Sequence, residues 1–154
     1  MVINRQKRVP VKIRALDEFC RRATTALRVP RDAATICLVS DAKIALWNRA
    51  YRGKAKPTDV LSFPVSALPA QNRNGKLPRV LNLRRIRQNG YLGDVAIAPA
   101  VARRNARAFG RSLQDEMCLL ALHGLLHLMG YDHEADNGAM NRIESRLRRK
   151  LGLA

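Results

Sequence analysis

Short apolar runs of strand character, interleaved with amphipathic helices of unequal length, predict an α+β fold: a small mixed β-sheet of about four strands covered by helices. Two further observations support this. The chain of 154 residues is 47% apolar, the composition of a packed core. Its most apolar helix, from Met117 to Met129, is apolar almost all round, as a helix buried in the middle of a domain must be. At this length a single domain over residues 1–154 is expected.

The elements follow in order. Val9, Val11 and Ile13 alternate with Pro10, Lys12 and Arg14, the period-two pattern of a half-exposed strand. Leu16, Phe19, Cys20, Ala23 and Leu27 fall at helical spacing, and that helix closes before Pro30. Ala34 to Ser40 is an apolar strand; Asp41 then caps a short helix with Ile44, Trp47 and Tyr51 on one stripe. Asp59 to Phe63 is a strand stopped at Pro64, and Gly93 to Ala98 a weaker one. Pro99 opens a helix that Gly110 ends. Ser112 and Asp115 fit a capping box for the long apolar helix. A last helix turns Met140, Ile143, Leu147 and Leu151 inward and Arg142, Arg146 and Arg149 outward. The basic stretch 66–91, with six Lys or Arg and no acid, reads as a loop insertion.

With 29 Lys and Arg against 12 Asp and Glu, the formal charge is +17, which favours a polyanionic partner, most simply a nucleic acid. Only 5% aromatic residues argue against a platform for stacking bases, so backbone-dominated, weakly sequence-selective binding is expected. Three Cys form no disulfide framework and suit a reducing, cytoplasmic compartment. Cys20, Cys37 and Cys118 read as core residues. No apolar run approaches the ~20 residues of a membrane helix, so no membrane partner is expected. The basic N-terminus has no secretory apolar stretch and reads as mature sequence.

All three histidines lie in His123-Gly-Leu-Leu-His127-Leu-Met-Gly130-Tyr-Asp-His133. His123 and His127 sit one turn apart on one helix face, about 40° from each other, so both imidazoles can reach one ion. Gly130 can end the helix in a left-handed conformation and turn the chain back, bringing His133 to complete a three-nitrogen site. Three protein ligands leave a fourth tetrahedral position for water, the pattern of a catalytic Zn2+ at the end of a buried, zincin-like helix. The spacing matches H-E-x-x-H-x-x-G-x-x-H proteases except at Gly124, where those enzymes carry the general base. Peptide hydrolysis is weakened by that difference.

With these residues the chain resembles the YbeY family of bacterial rRNA maturation factors. The motif H-G-x-L-H-L-x-G-Y-D-H is matched from His123 to His133. The stretch N-x-x-Y-R is matched by Asn48, Tyr51 and Arg52, P-T-D-V-L-S-F-P by Pro57 to Pro64, L-G-D by Leu92 to Asp94, and M-x-x-x-E by Met140 and Glu144. The resemblance implies a mixed sheet with a metal-bearing helix and metal-dependent endoribonuclease action at the 3′ end of 16S rRNA and in ribosome quality control. It also implies His123, His127 and His133 as metal ligands, Arg52 as a functional arginine, and the small ribosomal subunit and its assembly GTPase as partners.

The expected chemistry is attack on single-stranded RNA by a zinc-bound water, with Arg52 clamping a phosphate oxygen. Asp59, Asp94 and Asp132 are candidates for general base, for orienting a ligand, or for bracing the fold. Two other classes remain open: a metallohydrolase of another kind, including a peptidase, and a non-catalytic RNA-binding assembly factor with structural zinc.

Overall fold

The computed structural model describes residues 1–54, 56–65, 90–131 and 137–153. Its elements are β1 (Val2–Asn4), α1 (Ile13–Leu27), β2 (Ala34–Leu38), α2 (Asp41–Arg52), β3 (Val60–Pro64), β4 (Gly93–Ile97), α3 (Pro99–Ala108), α4 (Leu113–Leu128) and α5 (Ala139–Leu151). The four strands form one sheet in the order β1-β2-β4-β3, with β1, β2 and β4 parallel and β3 antiparallel at one edge. This is the α+β arrangement expected, with a mixed sheet of four strands.

The position in the sheet explains each strand's sequence. β2 and β4 are buried at every residue, because both faces are covered, and so read as apolar runs without alternation. The edge strand β3 alternates half-buried and buried residues. Ile36, Leu38, Val95 and Ile97 face one core with Leu122, Leu125 and Leu126 of α4 and the inward residues of α1 and α5. Cys37, Leu61, Phe63 and Ala96 face a second, smaller core under Ile44 and Trp47 of α2.

The first strand is not where alternation predicts it. Residues 9–14 do not pair; Val9 is buried and clasped by Gln6, whose amide donates to Val9 O at 2.9 Å and whose carbonyl accepts from Val9 N–H at 2.9 Å. Ile13 already opens α1. The strand is Val2–Asn4, in register with Ile36–Leu38. Such a three-residue strand takes its conformation from the partner backbone rather than from its own pattern. A smaller difference lies at α2, where Ser40 rather than Asp41 is the cap: its Oγ accepts from Lys43 N–H at 3.2 Å. Residues 66–89 of the basic insertion lie outside the described residues.

Candidate active site

The longest helix, α4, begins at Ser112, whose Oγ accepts from Asp115 N–H at 3.0 Å. From Glu116 to Leu128, His123 and His127 are the only residues that are not buried. The one opening in this apolar helix is therefore occupied by two imidazoles, with ring centroids 4.7 Å apart. The helix ends as its sequence predicts. Gly130 takes φ +91°, Gly130 N–H donates to His127 O at 3.0 Å, and Tyr131 N–H donates to Leu126 O at 3.2 Å. These two bonds form a Schellman stop, which turns the chain back immediately after His127.

The two Nε2 atoms face each other at 3.1 Å. Two nitrogens bound tetrahedrally to one zinc ion at ~2.0–2.1 Å lie about 3.3 Å apart, so this pair fits a shared ion with a very small adjustment. On the far side of His123, Nδ1 lies 3.1 Å from Glu144 Oε2 of α5. A carboxylate there holds the proton on Nδ1 and leaves the Nε2 lone pair facing His127. Glu144 is the only acid of α5, one turn after the buried Met140. Its place in M-x-x-x-E was visible in the sequence, but its contact with His123 was not. His133 and Asp132 lie outside the described residues. No cluster of three or more His, Cys, Asp or Glu suited to a metal occurs among the described residues.

The histidines line a cleft of about 490 Å³ together with β3, Tyr131, and Tyr51 and Arg52 from the end of α2. Arg52 is exposed and forms no ion pair among the described residues. It also borders an adjoining hollow with Asn48, Lys54 and Lys56, so the cleft mouth is basic. Asn48 is a residue whose role sequence reasoning missed. It is buried, and its Nδ2 donates to Lys56 O at 2.8 Å, tying the basic turn back onto α2.

Of the three candidate aspartates, Asp59 alone lies in the cleft among the described residues. Its Oδ1 accepts from Val60 N–H at 2.8 Å and Thr58 Oγ at 3.3 Å, and its Oδ2 from Asn105 Nδ2 at 3.0 Å. Those bonds brace the start of β3 against α3. Asp94 does not line the cleft. It is fully buried in β4, next to Val95, whose side chain meets α4; alternation therefore sends Asp94 to the opposite face, where Tyr91 Oη donates to it.

Two features bear on what the cleft accepts. A Cβ at Gly124 would lie 2.5 Å from Val95 Cγ1 and 2.9 Å from Val95 Cγ2, so α4 packs on the sheet through a position with no room for a side chain. Ala98 N–H donates to Asp59 O and Val65 N–H to Leu92 O, both at 2.9 Å, so residues 59 to 65 in odd steps pair with β4. The outward groups of β3 belong to Val60, Ser62 and Pro64. Val60 N–H is already taken by Asp59 and Pro64 has no N–H, which leaves Ser62 as the outward donor of this edge.

All three thiols are buried, as expected. Burial pushes the Cys20 thiol up to about 12, Cys118 up to about 11, and Cys37 above its ordinary value. They are protonated groups of the two cores.

A family model described as endoribonuclease YbeY matches residues 1–152. Curated proteins named endoribonuclease YbeY are similar along the chain. That of Solibacter usitatus is 38% identical, covering 96% of this chain and 86% of the relative. That of Koribacter versatilis is 37% identical over 99% of this chain and 86% of the relative, and that of Nautilia profundicola 42% identical over 77% and 71%. The solution structure of TM1509 from Thermotoga maritima shares the fold with a TM-score of 0.59 at 24% identity, covering 98% of this chain and 89% of that one.

Proposed function

This chain belongs to the endoribonuclease YbeY family, and from that premise we propose that it hydrolyses phosphodiester bonds of single-stranded RNA at a zinc centre held by His123, His127 and His133. The facing Nε2 atoms of His123 and His127, backed by Glu144 and opening into a basic cleft, carry this reading.

His123, His127 and His133 would hold the ion, which when bound would supply a water of pKa lowered toward ~7 and a Lewis acid for a phosphoryl oxygen. Glu144 holds His123 in the tautomer that donates Nε2. Arg52 binds a non-bridging phosphate oxygen with its planar fork and stabilises the charge that builds during attack. Asp59, through its three donors, keeps β3 fixed as one wall of the cleft. Within this class, the resemblance implies precursor rRNA at the 3′ end of 16S rRNA as substrate, a part in ribosome quality control, the small ribosomal subunit and its assembly GTPase as partners, and the cytoplasm as compartment.

Peptide is a poor fit for the same cleft. A glutamate cannot stand at position 124, where even a Cβ meets Val95. An extended peptide adding to β3 finds its ladder interrupted at Val60 and Pro64, whereas a phosphate needs only a few convergent donors.

The test is a zinc titration of metal-free protein with a labelled single-stranded RNA and casein as parallel substrates. RNA cleavage should appear as zinc is added, vanish in His127→Ala, and leave casein intact. Intact RNA with zinc-loaded protein, or cleavage that survives the substitution, overturns the reading.

A further inference from the structure

The scarcity of aromatic residues suggests that no base is stacked, yet their placement says otherwise. The chain has three Phe, three Tyr and one Trp. Three of these seven, Tyr51, Phe63 and Tyr131, line the cleft that holds the histidines. Phe63 and Trp47 are buried, while Tyr51 is 40% exposed. Trp47 meets Phe63 edge to face at 5.9 Å, and Tyr51 meets Phe63 edge to face at 4.8 Å. The buried pair thus props Tyr51, the most exposed of the three rings that line the cleft. A ring already held in place loses little freedom when a ligand stacks on it. Tyr51 and Arg52 both line this cleft from the last turn of α2, so one cleft offers a flat apolar surface and a guanidinium.

We propose that Tyr51 forms a base-binding subsite, stacking on a nucleobase of single-stranded RNA whose neighbouring phosphate is held by Arg52. The chemistry of the cleft selects this ligand. A mouth carrying Arg52, Lys54 and Lys56 calls for an anion, and the ring calls for a planar apolar group; a nucleotide joins both. Stacking has little base preference because every base has a π-face, so the subsite requires a base without reading which one. Burial raises the pKa of the Tyr51 phenol, which keeps the ring neutral beside a phosphate. Tyr131 borders the same cleft from the end of α4.

The inference rests on the ribonuclease reading above, and its test separates the two. Short single-stranded RNAs, each with one abasic nucleotide at a successive position, are measured by fluorescence anisotropy for binding and by zinc-dependent cleavage for KM. With the parent protein, removing the base at one position should weaken binding and raise KM by roughly 5- to 150-fold. Tyr51→Leu, which keeps apolar volume against Phe63 but has no ring, should bind intact RNA more weakly by a similar factor and no longer distinguish the abasic strand. Tyr51→Phe should behave as the parent. No position-dependent loss in the parent, or full discrimination in Tyr51→Leu, overturns the stacking subsite while leaving ribonuclease activity in place. Base-dependent binding without any cleavage supports the subsite and overturns the ribonuclease reading; absence of binding to every RNA overturns both.

Discussion

Gly124 and Glu144 show how much of the candidate site is set by single residues that are not themselves ligands. At Gly124 the helix lies so close to β4 that one added carbon meets Val95 at 2.5 Å. Overpacking of this kind costs about 1–3 kcal/mol, set against a helix-propensity gain of about 1 kcal/mol for Ala over Gly. Gly124→Ala should therefore lose up to about 2 kcal/mol of stability, measured by urea unfolding; a variant more stable than the parent would mean that α4 sits farther from the sheet. Glu144 acts on His123 from the other side. Replacing it by Gln removes the charge that retains the Nδ1 proton, and zinc affinity should fall about 10–100-fold in a competition with a chromophoric chelator. Unchanged affinity would make the contact a packing feature only. Both residues stood inside motifs, but neither role could be read there, because each depends on an atom from another element.

At the scale of elements, the helices follow their local chemistry closely. Inward spacing predicted α1 and α5, and Pro99 opens α3. Ser112 caps α4 through Asp115 N–H. Ser112→Ala should cost about 1 kcal/mol, read as a shift of the urea midpoint; a null effect would mean that water or the chain before the helix satisfies that donor. Strands were legible in proportion to their length and burial. β2 and β4 announce themselves as apolar runs, and β3 by its stop at Pro64. β1 did not, since a three-residue segment carries too little pattern, and the more regular alternation at residues 9–14 falls on a loop held by Gln6 and on the start of α1.

Across the whole molecule, three thiols buried in two cores link packing to pH. Cys20 and Cys118 lie in the core under α4, and Cys37 in the one under α2. Unfolded thiols release their protons near pH 9, while the native state holds those of Cys118 and Cys20 to about 11 and about 12. The native state thus binds more protons in that window, and stability should decline as pH rises above about 9. Urea midpoints at pH 8 and pH 10.5, compared with those of Cys20→Ala, check this; an equal decline in the variant would assign it to other groups. The charge of +17 also acts at this scale. Arg142, Arg146 and Arg149 are exposed on α5, and Arg103 and Arg107 on α3, so the basic character extends well beyond the cleft.

What the sequence by itself determined is whatever repeats over two to four residues: the helical faces, the apolar strands, the shared face of His123 and His127, and the stop at Gly130. Those features depend on near neighbours, whose spacing is written directly in the chain. The tertiary structure alone decided that β4 is central and β3 an edge, that Asp94 faces away from the histidines, that Glu144 reaches His123 across 21 positions, and that three of the seven aromatic rings line one cleft. These depend on contacts between distant segments, and a contact of that kind leaves no period in the sequence to read.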